Sequence, residues 1–331
     1  MQLTQKKSRR GNLLTAAAVA MLLAVMAALL YTGSLTRQVT NMLIPTAVYI
    51  VMAVSLNLVV GLLGELSLGH AGFMSVGLFS GCLVAIALTN TALPLMVRLL
   101  VSMLAGGLTA AVFGLLVGLP TLRLRGDYLA IVTLACGEII KNIITNLRVT
   151  GGALGLNTTA IYAGAKELLP YGAALVLLTV AVMLNLKRSK YGRAIMAIRD
   201  NRIAAESVGL SVTRYKLAVF VIAAFFAGCA GVLYGHSLAN IKAAAFDYNM
   251  SIEILVIVVL GGMGSVPGSV VSAIVLTVLP EALREVADYR MLVYAVVLIL
   301  VMQATNNPAM KRFFGAACKS LTPKRKERAA L

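Results

Sequence analysis

Residues 191–235 read YGRAIMAIRDNRIAAESVGLSVTRYKLAVFVIAAFFAGCAGVLYG, and the change of character halfway along them decides the fold. Up to Lys216 charges recur every few residues, with Ile195, Ile198, Ile203 and Val208 set among Arg193, Arg199, Asp200, Arg202 and Glu206. That spacing predicts a short amphipathic helix, ended by Gly209 in the manner of a C-cap. From Leu217 to His236 there is no Asp, Glu, Lys or Arg. A bilayer core about 30 Å thick is crossed by roughly 20 apolar residues in a helix. The second half therefore predicts a transmembrane span, and the first half an aqueous segment attached to it.

The same alternation runs along the whole chain. Apolar stretches at 13–30, 42–63, 68–89, 95–119, 128–146, 168–186, 217–236, 251–264, 268–283 and 290–305 are separated by short basic or Gly/Pro-rich pieces. Hydrophobic residues make up 60% of the 331, charged residues 12%, and mean hydropathy is +0.92. Such a composition cannot supply the polar shell of a soluble domain. The fold class is all-α: a polytopic membrane protein of about ten transmembrane helices. Residues 1–12 form a basic N-terminus, 13–305 the membrane domain with the aqueous loop 187–216, and 306–331 a basic tail. The basic start before 13–30 also suits a signal peptide, but the apolar run is long for one and no clear A-x-A site follows it, so a retained first helix is expected.

A net charge of +17 raises the possibility of nucleic acid. The basic residues, however, lie in clusters just outside apolar runs rather than along a groove with interleaved aromatics. With both termini cytoplasmic, 21 of the 29 Lys and Arg fall on the inner side, seven outside, and Lys141 within a span. That is the positive-inside pattern, and it argues for a lipid bilayer as partner and against nucleic acid.

Two of the expected spans, 251–264 and 268–283, are short. They flank Gly261-Gly262-Met263-Gly264-Ser265-Val266-Pro267-Gly268, and a second break at Gly61–Gly72 carries Glu65. Interrupted helices at membrane depth are tolerated where protein or a water-filled cavity covers the freed backbone, and they often mark a transporter's substrate region. Candidate path-lining residues are Asn57, Glu65, Ser67, His70, Glu138, Gly262 and Gly264. For each, a bland role stands beside the functional one. Asn57 suits interhelical hydrogen bonding. Glu65, Ser67 and His70 suit stabilisation of the break. Glu138 and Lys141, three residues apart, suit mutual neutralisation on one helix face. Glu253 lies near the outer end of its span and is expected to reach the interface.

Catalysis finds little support. The four cysteines have no metal-ligand or CxxC spacing, two histidines stand far apart, and no paired carboxylates or activated nucleophile occurs at convincing spacing. No metal or cofactor is expected in this chain. A phosphate-binding GxxxxGK[ST] loop is lacking too, since no Lys follows the glycines at 261–268, so any ATP is bound by other subunits. The loop 187–216, about thirty residues with both apolar and charged groups, exceeds what a connector needs. It suits a docked partner or an interfacial helix on anionic lipid equally well.

Five ordered blocks resemble a known family: SLNLVVGLLGELSLGHAG at 55–72, LRLRGDYLAIVTLACGEII at 122–140, GGALGLN at 151–157, the 191–235 stretch and VVLGGMGSVPGSV at 258–270. Together they resemble the branched-chain amino-acid ABC permeases of the LivM type, over roughly 40–305. The ending NNPAMKRFFG fits that family only loosely, and the piece between GGALGLN and Tyr191 is compact. The resemblance implies a permease subunit, not an enzyme, in the bacterial inner membrane. Its implied partners are a second related permease, two cytoplasmic ABC ATPases and a periplasmic or extracellular binding protein. It implies that Tyr191, Gly192, Arg193, Arg199, Asp200, Glu206 and Gly209 belong to the loop that couples to an ATPase. The implied cargo is leucine, isoleucine or valine; urea, amides or other amino acids are the alternative. An ion-coupled secondary transporter is the alternative of another class, disfavoured by the scarcity of ionisable groups at mid-span.

Overall fold

In the computed structural model the described residues are 36–91, 94–121, 124 and 126–282, with a few isolated positions on either side. The expected spans at 13–30 and 290–305, the N-terminus 1–12 and the tail 306–331 fall essentially outside them. The chain forms two compact units, residues 1–278 and 279–331, and the helices that build the site belong to the first.

The helices are α1 (Arg37–Asn57), α2 (His70–Ala87), α3 (Leu95–Thr121), α4 (Asp127–Asn146), α5 (Ala165–Arg188), α6 (Lys190–Asp200), α7 (Arg202–Ser207), α8 (Val212–His236), α9 (Tyr248–Gly261) and α10 (Val266–Ala282). Among the described residues seven helical segments are long and apolar enough to cross a membrane, and Val266–Pro280 is a shorter apolar helix. Every span expected between 42 and 283 thus has its helix.

Lipid tails give no hydrophobic drive for helices to associate, so close packing must come from small residues. Helix α8 lies at the centre against α1, α2 and α3. A side chain at Gly228 would sit 2.6 Å from the Gly106 carbonyl of α3, so only hydrogen permits that approach. The outward faces of α3 and α4 instead carry exposed Leu104, Leu108, Leu116, Ile131 and Ile139, as a lipid-facing surface requires.

The connections gather at two opposite ends. At one end, the α4–α5 and α8–α9 connections pair as β1 (Leu156–Asn157) and β2 (Asn240–Ile241), antiparallel, with Leu156 opposite Ile241. Thr158 extends the seam, its amide donating to Ala239 O (3.0 Å) and its hydroxyl to Leu238 O (2.5 Å). The other end carries α6, α7 and both helix breaks.

Candidate functional site

The first break begins where α1 should simply continue. Residues 58–63 widen into a buried π-helical turn that stops at Gly64, whose φ of +79° favours glycine. Such turns release backbone groups from the regular ladder and recur at functional sites. Asn57, fully buried at the start of the turn, spends its amide on the second break. Its Nδ2 donates to Ser265 O (3.1 Å) and Ser269 Oγ (2.8 Å), and its Oδ1 accepts from Gly264 N (2.7 Å). Gly61 lies against Gly264 so closely that a Cβ there would be 2.6 Å from Gly264 Cα. The two glycine breaks, some 200 residues apart in sequence, are one joint.

The charged loop grips this joint through two cations. Lys187, in the last turn of α5, donates from Nζ to Gly264 O (2.8 Å). Arg199, in the last turn of α6, donates from Nη1 to Gly61 O (3.0 Å) and from Nε and Nη2 to Asp200 Oδ1 (both 3.1 Å). Each side chain satisfies a carbonyl at the break, one face of the joint apiece. A third contact pairs Lys216 with Glu65, both largely buried, and Glu65 Oε2 has no partner among the described residues. Between loop and joint lies a cleft of about 550 Å³, lined among others by Glu65, Asp127, Arg199, Asp200, Arg202 and Glu206.

The loop is itself a small folded unit. Ser189 Oγ caps α6 by accepting from Gly192 N (3.0 Å), and Asn201 Oδ1 caps α7 by accepting from Ala204 N (3.0 Å). Ile198, Ala205 and Val212 form its core, with Leu210 and Tyr215 packed on it. The single amphipathic helix expected over this stretch is therefore two, broken at Asn201. As a result Ile195 and Ile198 are buried, whereas Ile203 and Val208 are 80% and 79% exposed. Gly209 does adopt a left-handed φ of +86° beyond α7. Glu206 pairs with Arg202 (2.8 Å) on the surface. Exposed Tyr191 lies 6.2 Å from the Tyr215 ring, buried Gly192 lets α6 fold back on the end of α5, and Arg193 Nη1 donates to Arg188 O (3.1 Å).

A search of family models matches residues 38–302 to the branched-chain amino acid transport system / permease component. The chain belongs to that family. It is similar to the high-affinity branched-chain amino acid transport system permease protein LivM of Salmonella typhimurium and of Escherichia coli, 36% identical to each over 296 residues, or 78% of this chain. Permease protein LivH of Salmonella typhimurium is 31% identical over 126 residues, 37% of this chain and 40% of its own length. The chain spans 66% of the length of the two LivM relatives. No solved structure matches.

Within this permease-family member the remaining predicted residues make other contacts. His70 Nε2 and Ser55 Oγ share a buried hydrogen bond (2.8 Å). Ser67 is buried, and its hydroxyl has no partner among the described residues. Glu138 pairs with Lys141 as their spacing implied, and its Oε1 also accepts from Tyr248 N (2.9 Å), fastening α4 to the first turn of α9. Gly262, with φ +86°, turns the chain out of α9. Glu253 is half-buried and accepts from the Tyr49 hydroxyl of α1 (3.3 Å). Lys187, Lys216 and Ser269 belong to the joint although no local motif marks them, and Gly61 and Ser265 lie in the two glycine-rich breaks with nothing in the sequence to show that these meet. Only the closeness of Lys187 and Lys216 to the ends of apolar runs hinted that they could reach back to the membrane-facing backbone.

Proposed function

We propose that this chain is the membrane-spanning permease subunit of an ABC importer for branched-chain amino acids. Cargo is delivered by a binding protein, and energy comes from separate ATPase subunits. The observation that carries this reading is the charged stretch from the last turn of α5 through α7: it holds carbonyls of both helix breaks, Gly264 through Lys187 of α5 and Gly61 through Arg199 of α6, while presenting Ile203 and Val208 to solvent. A partner seated on those two side chains and tilting the loop would pull on Gly61 and Gly264 directly. Rigid, two-ended linkage of this kind is what transmits a distant closure to membrane helices. The loop end is then cytoplasmic and the β1–β2 end periplasmic, in the inner membrane, with both termini cytoplasmic. The second permease of the pair would be a related chain, in keeping with the similarity to LivH.

The test is purification of the tagged chain in mild detergent with mass spectrometry of what accompanies it. A second permease and two ATPases, lost when Arg199 and Glu206 are replaced together, are expected. A chain that purifies alone yet drives uptake under an ion gradient without ATP overturns the reading. Competition of labelled leucine uptake by urea, amides and other amino acids then fixes the cargo class.

A further inference from the structure

At the end of the bundle opposite the charged loop, a cavity of about 240 Å³ opens among Tyr49 of α1, Tyr234 of α8, and Phe246, Asp247, Met250 and Glu253 in and before α9. Its chemistry is lopsided. Two carboxylates line it, and among the described residues no Lys, Arg or His does. Asp247 is occupied as the cap of α9, accepting from Met250 N (3.1 Å) and Asn249 Nδ2 (2.7 Å). Glu253 is not comparably occupied: its one described hydrogen bond is the long one from Tyr49, and no ion pair reaches it among the described residues. The floor is aromatic, with Phe246 buried and meeting Tyr234 edge-on at 6.4 Å and 89°, and Phe79 behind it at 6.4 Å.

An uncompensated carboxylate beside aromatic faces within a membrane bundle favours a cation. Among the described residues no group of three or more His, Cys, Asp or Glu gathers there, and Asp247 is already committed to the α9 cap, so the carboxylate set of a hard divalent metal is lacking. The space equals about eight water volumes, so it admits an organic cation with an aliphatic portion, which Met250 and Phe246 can cover. We propose that this cavity receives the ammonium group of an amino acid, with Glu253 as its counter-charge, Tyr49 holding that carboxylate in place and Phe246 and Tyr234 offering ring surface. The identity of the cargo rests on the import function proposed above; the ammonium site does not.

The test is saturation-transfer NMR on the full chain, purified with the subunits it brings from the membrane. The probes are L-leucine, 3-methylbutylamine (leucine without its carboxylate) and 4-methylpentanoate (leucine without its amine). Leucine and the amine are expected to bind and the acid is not. Glu253→Gln is expected to weaken both by about tenfold or more, the loss of one charge-assisted contact, and Glu253→Asp to recover part. Equal binding of the acid, displacement of the amine by sodium at matched ionic strength, or unaltered binding by Glu253→Gln overturns the proposal. Where Glu253→Gln does not fold, the comparison of amine with acid on the unaltered chain decides. Amine binding without ATP-driven uptake would retain the site and sink the import function; uptake indifferent to Glu253 would do the reverse.

Discussion

Replacing Gly61 by alanine adds one methyl group to the tightest point of the joint. Its carbon would lie 2.6 Å from Gly264 Cα and nearer still to Gly264 N and Asn57 Oδ1. Two of these three atoms are backbone, so swinging the Asn57 side chain aside would not relieve the clash. Ordinary carbon contacts begin at about 3.5 Å, so the breaks must part by about 1 Å. An opening of that size stretches the Asn57 Oδ1···Gly264 N bond, now 2.7 Å, to about 3.7 Å, where it no longer counts as a hydrogen bond. Overpacking costs roughly 1–3 kcal/mol, and the stranded amide about as much again. Gly61→Ala is therefore expected to destabilise by roughly 2–6 kcal/mol. The assay is thermal unfolding in mild detergent, followed by loss of the monodisperse peak. Gly137→Ala in α4 serves as control, since its new carbon would meet only Gly69 Cα at an ordinary 3.5 Å. A Gly61→Ala chain as stable as that control, within about 0.5 kcal/mol, would refute the close-packed joint.

Other perturbations separate the roles of the loop. Lys216→Met alone leaves Glu65 buried and unpaired, at an expected cost of about 3–5 kcal/mol, whereas Lys216→Met with Glu65→Leu is expected to recover most of it; a double-mutant cycle of unfolding temperatures measures this. Ile203→Asp with Val208→Asp should leave stability within about 0.5 kcal/mol, because both side chains are solvent-exposed, yet abolish co-purification of the ATPases; retained partners would exclude α7 as the seat. Arg199→Lys keeps the charge but not the fork that reaches Gly61 O and Asp200 together. With the assembly intact, ATP hydrolysis should continue while uptake falls about tenfold or more, the size of a lost charge-assisted contact, as read by paired ATPase and uptake assays in proteoliposomes.

The helices were legible because the signal for a span is additive: twenty apolar residues announce themselves whatever they touch. The break at 261–268 was legible for a related reason, since glycine and proline state their backbone needs locally. The π turn at 58–63 was not, because LVVGLL reads as unbroken helix and only its neighbours show that it widens. Asn57 stood out as a polar residue in a span, but its partners lie more than 200 positions away, and no local pattern points to them. In the charged loop it is the register that periodicity misses. Helical periodicity treats Ile195, Ile198, Ile203 and Val208 alike, until Asn201 caps a new helix and turns the last two to solvent. An Asn between two helical stretches is a known cap, so that signal was present and outweighed by the periodic one. For Glu253, depth along a span says nothing about which side of the helix faces Tyr49, so that hydrogen bond is not legible in the sequence.

The seam of β1 with β2 has a mechanical corollary. It staples the connection leaving α4 to the connection leaving α8 by main-chain bonds, which no change of protonation or loss of a single side chain undoes. The two connections that meet there are tied to each other, whereas the opposite end is moored by individual side chains that can exchange partners. The contacts that can exchange one at a time are therefore those of the moored end. On the import reading proposed above, a ligand lodged at the stapled end would keep the same walls while contacts at the moored end exchange.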